Sequence, residues 1–270
     1  MQINYYGKTS KLNIISENQK GKTVLKEVSF TAPFKVMQPF YPQGESGRMQ
    51  VMALMASAGI MEGDRQEINI EVREKSEMEF LSQSYEKIHK MQEGHAVRNT
   101  NIKVGKEASF IYNPLPVIPF ADSAFQSSTT VHLEDETSGL FMGEVISCGR
   151  YARGERFRYR YYRSLLQIYC RQKLIYMDNA FFEPSKIPME EIGIMEGYSH
   201  LASIVMVNQK MPENYIETVR EQILNIDQIE GGISRTESGD IVIRVLGNSA
   251  QILGTLIRKL FPRTMSQAQE

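Results

Sequence analysis

Apolar and polar residues alternate in short runs along most of this chain. Over residues 66–73, Ile68, Ile70 and Val72 fall on one parity and Asn69, Glu71 and Arg73 on the other, which predicts a strand with one buried face. Met78, Phe80, Ser82 and Ser84 repeat the pattern, leading into residues 85–89. So do Ile102 with Val104, Thr129 with Val131 and Leu133, Leu166 with Ile168 and Cys170, and Leu174 with Tyr176. Phe157, Tyr159 and Tyr161 alternate with Arg158 and Arg160 and predict a further strand. Residues 23–30 and 49–56 are β-branched or apolar enough to predict strands near the start.

The last part of the chain changes period. Residues 201–208 read as an apolar strand, and Pro212 suits the first turn of a helix. Ile216, Val219 and Ile223 recur at helical spacing, which predicts an amphipathic helix over 212–227, ended by Gly231 and Gly232. Residues 233–235 and 241–246, joined by Glu-Ser-Gly-Asp, predict a hairpin. Ser249 can cap a last helix that carries Leu253, Leu256, Ile257 and Leu260 and that Pro262 stops, with 264–270 as a loose end. The expected fold is mainly β: a large stack of many short strands, β-solenoid-like or sandwich-like, with a small C-terminal α+β unit carrying two helices. A β-rich body over 1–198 and the unit over 199–270 are expected to pack as one globule. No clean repeat period chooses between the β architectures.

Turns and prolines interrupt this pattern at particular places. Pro33, Pro39 and Pro42 force an extended, irregular path, and Gly59 and Gly63 predict a tight turn that presents Asp64. Residues 113–122 read Asn-Pro-Leu-Pro-Val-Ile-Pro-Phe-Ala-Asp; Pro114, Pro116 and Pro119 each lack a donor, which argues against helix or central strand. Residues 149–157 crowd Arg150, Arg153, Glu155 and Arg156 around two glycines. Stiff backbone, one acid in an apolar setting and a mixed-charge turn have the character of a built site; a surface corner with a solvated charge cluster is the plainer alternative.

Composition narrows the classes. With 31 Lys and Arg against 32 Asp and Glu, generic attraction to nucleic acid or to a membrane surface is not expected. No apolar run approaches the roughly 18–20 residues that cross a bilayer, and the polar first residues do not resemble a signal peptide, so a cytoplasmic protein is expected. Two cysteines, Cys148 and Cys170, without paired spacing support neither a zinc site nor a disulfide framework.

Nucleophile elbows and phosphate-binding glycine loops are missing. His89 and His95 flank Gly94 at a spacing that suits two solvated histidines better than a helical metal pair. Met49, Met52, Met55 and Met61 read as gap-filling core residues. The arginine- and tyrosine-rich run from 150 to 163 has the composition of a nucleic-acid groove but equally that of a protein-facing patch. A β-rich carbohydrate-active hydrolase using Asp122 and Glu155 as paired carboxylates is the enzyme alternative. It would need them roughly 5–9.5 Å apart in an open cleft, and the chain has no tryptophan to line one.

Several motifs occur together and in order: Ala-Gly-Ile-Met-Glu-Gly-Asp over 58–64, Ser-Gln-Ser-Tyr-Glu-Lys-Ile-His over 82–89, Pro-Val-Ile-Pro-Phe-Ala-Asp over 116–122, and Gly-Arg-Tyr-Ala-Arg-Gly-Glu over 149–155. With the run over 33–42 they resemble the urease accessory family called UreD or UreH, most closely the UreH-named branch. The resemblance implies a scaffold and not an enzyme. It implies direct binding of a UreF-like accessory protein in a two-plus-two complex, of a UreG-like GTPase through UreF, and of apo-urease. It also implies no tightly bound cofactor but a nickel ion in transit, for which weak oxygen ligands serve better than thiolate or imidazole cages. Asp64, Ser84, Asp122 and Glu155 each sit in one of these motifs, where strand passes into turn, and are expected to line one water-filled route for the ion. The alternative is that the acids pair with Arg65, Arg150 or Arg153 as structural ion pairs.

Overall fold

Period-two alternation folds here into a parallel stack, in which each coil lays its strands on those of the coil before. The computed structural model of the chain describes residues 7–42, 47–209 and 211–261. A hairpin of β1 (Thr9–Gln19) and β2 (Lys22–Phe30) and a short β3 (Phe34–Val36) begin it. The first coil contains β4 (Met49–Met55) and β5 (Arg65–Val72); the second, β6 (Glu77–Ser82), β7 (Glu86–Ile88) and β8 (Ala96–Val104). The third contains β9 (Ser109–Asn113), β10 (Val117–Pro119) and β11 (Ala124–Leu133), and the last, β12 (Gly139–Ser147) and β13 (Tyr161–Cys170). Then come β14 (Lys173–Phe182), β15 (His200–Val207), α1 (Tyr215–Leu224), β16 (Ile229–Arg235), β17 (Ile241–Gly247) and α2 (Ala250–Lys259).

Consecutive long strands alternate between two sheets. A seven-stranded sheet runs β14-β13-β11-β8-β5-β1-β2, and a ten-stranded sheet runs β16-β17-β15-β12-β9-β6-β4-β3 with β7 and β10 attached. Within the coils all pairings are parallel: β5 with β8, β8 with β11 and β11 with β13 in one sheet, β4 with β6, β6 with β9 and β9 with β12 in the other. A narrow third face joins β7 to β10 and bridges Ile60 to Ile88. The solenoid-like form of the expectation is therefore the one observed. Its coils differ in length, which is why no clean period shows in the sequence: Gln66 faces Arg98, Arg98 faces Ser127, and Ser127 faces Ser164. Antiparallel strands cover both ends of the stack, β2 at one and β14 at the other, so no parallel coil is left with an open edge.

Side chains at one register stack along the axis as columns. Ile70, Ile102, Val131 and Ile168 form one such column and Val72, Val104, Leu133 and Cys170 the next, all buried between the sheets. Each aliphatic side chain so buried stabilises the fold by about 1.5–3 kcal/mol. On the solvent face the same register builds a ladder: Asn69 donates to Asn13 at 2.9 Å and Asn101 to Asn69 at 3.2 Å. The C-terminal strands extend the ten-stranded sheet from β12 through β15 and β17 to β16, and α1 and α2 cover its back over a second core around Phe141, Ile204, Ile243 and Leu256.

Most predicted elements are observed, with instructive differences. The strand expected from Phe157 begins at Tyr161. Phe157 has a left-handed φ of 49°, its N–H donates to Cys148 O, and the N–H of Asp122 donates to Arg158 O, so this run belongs to a turn. The proline run contains a strand after all: β10 lies between β7 and Ile146 of β12. The prolines serve the ladder as acceptors only, Pro116 O taking the N–H of Glu86, while Val117 and Ile118 lie between them. The first helix stops at Leu224, and Gly231 and Gly232 lie in β16 instead of ending it. A Cβ at Gly231 would come 2.5 Å from Arg244 O, so close strand approach requires that glycine. Ser249 caps α2, accepting the Ile252 N–H at 3.4 Å. Pro262 and 264–270 lie outside the described residues.

Candidate functional site

One inward column is polar where its neighbours are apolar. Gln66, Arg98, Ser127 and Ser164 stand at one register on β5, β8, β11 and β13, and Ser10 on β1 continues the column. Each lies two residues before an apolar or threonine position on the same buried face, so ordinary strand alternation turns all of them inward. One register step away, Ala96, Phe125 and Tyr162 belong to an apolar cluster with Ile60 and Ile88; in the other direction lies the main core. The result is a polar belt that runs along the stack between two dry layers. The ten-stranded sheet faces it with Ser82, Glu86 and Tyr112 and with a row formed by Glu144, Ser203 and Arg244 on β12, β15 and β17.

Between these walls lies a cavity of about 150 Å³, room for several waters. Two ion pairs cross it from sheet to sheet. Arg98 pairs with Glu86, the side chains keeping only 11% and 15% of their surface. Arg244 Nη2 reaches Asp178 Oδ2 on β14 at 2.6 Å, nearer to solvent. A buried guanidinium is costly unless its donors are satisfied. Arg98 donates from Nε and Nη2 to Gln66 Oε1 at 2.8 and 2.7 Å, and its guanidinium carbon lies 5.4 Å from the centre of the Phe125 ring. Burial alone would lower its basicity; the Glu86 carboxylate more than offsets that, and Arg98 stays charged. Burial also pushes the Tyr112 and Tyr162 phenols up, which keeps both neutral.

Glu144 is different. Protein encloses it on all sides, yet it keeps some accessible surface, because that surface is cavity wall. It makes no hydrogen bond or ion pair among the described residues. Burial pushes its carboxyl up, Arg98 pulls it down, and the Glu86 and Asp178 carboxylates push it further up.

The four residues expected to line a route are placed as follows. Asp64, Asp122 and Glu155 lie in successive coils along one outer corner: Asp64 O accepts the Val97 N–H, Asp122 O accepts the Met91 N–H, and Glu155 Oε2 accepts the Ala121 N–H at 3.3 Å. Ser84 sits at the neighbouring corner, exposed, on the wall of the cavity, which the other three do not line. Asp64 Oδ2 closes its own turn by accepting the Met61 N–H at 2.8 Å; burial pushes its carboxyl up and that bond holds part of the rise back. Asp122 has a left-handed φ of 61°, is exposed, and lies 3.8 Å from Lys90 Nζ. Glu155 takes both Nε and Nη2 of Arg150, which holds its carboxyl below the usual range, and the same guanidinium lies 4.2 Å from the centre of the Phe120 ring. His89 and His95 do not converge: His89 Nε2 lies 3.0 Å from Ala58 O, and His95 leans on Tyr161. No group of three metal-ligating acids, histidines or cysteines occurs among the described residues.

Sequence reasoning missed the belt. Its signal was present in the alternation, as a polar residue on the inward parity of consecutive strands, but such a residue reads as a strand end until the coils are aligned.

Fold and site together define a parallel β-stack with a polar column and a cavity between its two sheets. The UreD urease accessory protein family matches residues 8–268 of the chain, and the chain belongs to that family. It is 38% identical over 255 residues to the urease accessory protein UreD of Acetivibrio thermocellus, covering 94% of this chain and 97% of that one. It is 32% identical over 269 residues to the urease accessory protein UreH of Helicobacter pylori strain G27, covering 98% and 99%. With UreD of Flavobacterium johnsoniae the identity is 30% over 253 residues, covering 93% and 90%. The resemblance read from the motifs is borne out, and the chain's place is among proteins that assist urease.

Proposed function

We propose that this protein is a non-catalytic scaffold of urease maturation and that nickel passes along its polar belt into apo-urease. It docks directly on a UreF-like accessory protein in a two-plus-two complex, and through it meets a UreG-like GTPase. The observation that carries the reading is the belt: hydroxyls, amide and paired charges aligned through consecutive coils between two apolar layers. A dry core has no use for such a column, whereas a hydrated divalent ion needs oxygen ligands along its way that bind weakly enough to release it. Asp64, Asp122 and Glu155, strung along one outer corner, and Ser84 at the cavity wall are the ion's contacts with the outside. The hydrolase alternative finds less support, since Glu155 is committed to Arg150 and Asp122 stands exposed beside Lys90. A urease operon deleted for its own UreD or UreH member and complemented with this chain is the test. The expected result is co-purification with the UreF-like protein, a two-plus-two mass by light scattering, and nickel-loaded urease; apo-urease despite a formed complex would overturn the transit.

A further inference from the structure

The two edges of the seven-stranded sheet are built differently. At one end β2 carries Lys22, Lys26 and Glu27, and Lys26 Nζ pairs with Glu17 Oε2 at 2.6 Å. Charges of this kind keep an edge from pairing with another chain. At the other end β14 runs for ten residues without a proline, and after Lys173 its only charge is Asp178. That carboxylate turns inward and is held by Arg244 of the same chain. The backbone groups on the far side of β14 take no backbone partner among the described residues. Leu174, Met177 and Phe181 stand on the outer face of this edge and keep 42%, 58% and 46% of their surface exposed. Behind them β13 presents Tyr161, Leu165 and Tyr169 on the same face, with the Tyr161 and Phe181 rings 6.1 Å apart. A long, nearly uncharged edge beside an apolar face is a template for a further strand.

The sequence of β14 says which strand that is, because it is complementary to itself. Residues directly opposite in an antiparallel pair share a face, so a two-fold pairing of β14 with its copy must centre on a residue. Centred on Asn179, the outer face sets Met177 opposite Phe181 of the second copy, and Phe181 opposite Met177. The inner face sets Tyr176 opposite Phe182, and Asp178 opposite Ala180. At the centre the two Asn179 side chains meet, as Asn13, Asn69 and Asn101 do in the ladder on this same outer face. Neighbouring registers are worse. A centre at Asp178 sets two carboxylates face to face, one at Met177 sets Phe181 against Lys173, and one at Ala180 sets Phe182 against Asp178. We propose that β14 is a homodimer edge, at which two copies of this chain pair antiparallel about a two-fold axis at Asn179 and their seven-stranded sheets run on as one. The proposal does not rest on the nickel reading.

The test uses the full chain on its own. Sedimentation velocity over a micromolar concentration series is expected to show a reversible dimer. Phe181→Lys gives β14 the kind of charge that β2 already has, and is expected to weaken the dimer at least about tenfold. Asn179→Cys places two thiols across the two-fold axis, on facing residues whose Cα atoms lie about 5 Å apart in an antiparallel pair. A short bismaleimide is expected to join this variant to its copy and to leave the parent unjoined, since Cys148 and Cys170 are buried. Met177→Cys and Phe181→Cys are expected to join to each other when mixed, and neither to itself. A monomer at every concentration, or a dimer that Phe181→Lys leaves intact, overturns the proposal. So does a dimer in which Asn179→Cys is not joined, because the register is then wrong. A monomeric chain whose Asn179→Cys is joined to a different protein in cells assigns the edge to a foreign strand and overturns it equally. Phe181 and Asn179 are both exposed, and melting curves establish that each variant keeps the fold. Asn179→Cys decides the question even where Phe181→Lys does not fold.

Discussion

Gln66 and Arg98 face each other on neighbouring parallel strands, and two guanidinium nitrogens of Arg98 converge on one amide oxygen of Gln66 at 2.8 and 2.7 Å. Gln66 and Glu86 therefore have different roles at Arg98: the amide oxygen, taking two of its donors, positions the charge, and the carboxylate neutralises it.

Glu86→Ala is accordingly expected to destabilise the chain by about 3 kcal/mol, the lower end for a broken buried pair, because Arg98 keeps Gln66 and the Phe125 ring. The double variant Arg98→Met with Glu86→Leu removes both charges and is expected to recover most of that loss. Urea unfolding of the two proteins and the parent, with unchanged slopes, is the measurement. A double variant as unstable as the single one would mean that the pair itself holds the sheets together.

Gly149 opens the corner loop with a φ of 129°, and a Cβ there would lie 2.7 Å from Glu155 O. Gly149→Ala must distort the backbone that sets Arg150 against Glu155, at a cost of about 1–3 kcal/mol. Thermal melting is expected to show that loss, while Gly154→Ala, with nothing within 4 Å of its Cβ but a left-handed φ of 73°, should lose less. Equal losses would remove the close contact as the cause.

Glu62 clamps the loop that follows β7. Its carboxylate accepts the N–H groups of Gln92 at 2.8 Å and Gly94 at 2.7 Å, which hold its acid form below the usual range. A depressed folded value stabilises the protein above the unfolded carboxylate range and ceases to do so as pH falls through the folded value. The stability gap between the parent and Glu62→Gln is therefore expected to be constant from neutral pH down to about pH 5 and to close below the unfolded value of about 4.3. Denaturant unfolding at a series of pH values measures it; a gap that widens on acidification contradicts the clamp.

Strands were legible wherever one face was uniformly apolar, as in β5 and the later halves of β8 and β11. Others escaped for identifiable reasons. Polar residues such as Asn13 and Glu17 obscure β1, because its outer face carries the asparagine ladder and ion pairs. In β12 an almost continuous apolar run around Phe141 and Met142 is buried on both sides, against the main core and against α2, so it does not alternate cleanly. The corner acids were legible as motifs, since turn residues stay adjacent in sequence. Gln66, Arg98 and Glu144 were not, and Glu86, though inside the motif over 82–89, was not singled out, because what brings these residues together is the stacking of coils of unequal length.

Asp122 separates the transit reading from a purely structural one. Its exposed pairing with Lys90 contributes little to stability, and asparagine tolerates the same left-handed backbone. Asp122→Asn is thus expected to melt within a degree or two of the parent and to co-purify undiminished with the UreF-like partner. If the corner delivers the ion to the belt, urease matured with this variant carries less nickel and is correspondingly less active, and excess nickel in the medium restores part of both. Glu155→Gln behaves differently, because it also releases Arg150 from its bidentate contact and frees the Ala121 N–H. It is expected to lower both melting temperature and nickel content. Metal analysis and activity of the purified urease, beside melting curves of each variant, decide the matter: fully loaded urease from the Asp122→Asn strain would leave the corner a structural ion-pair site and nothing more.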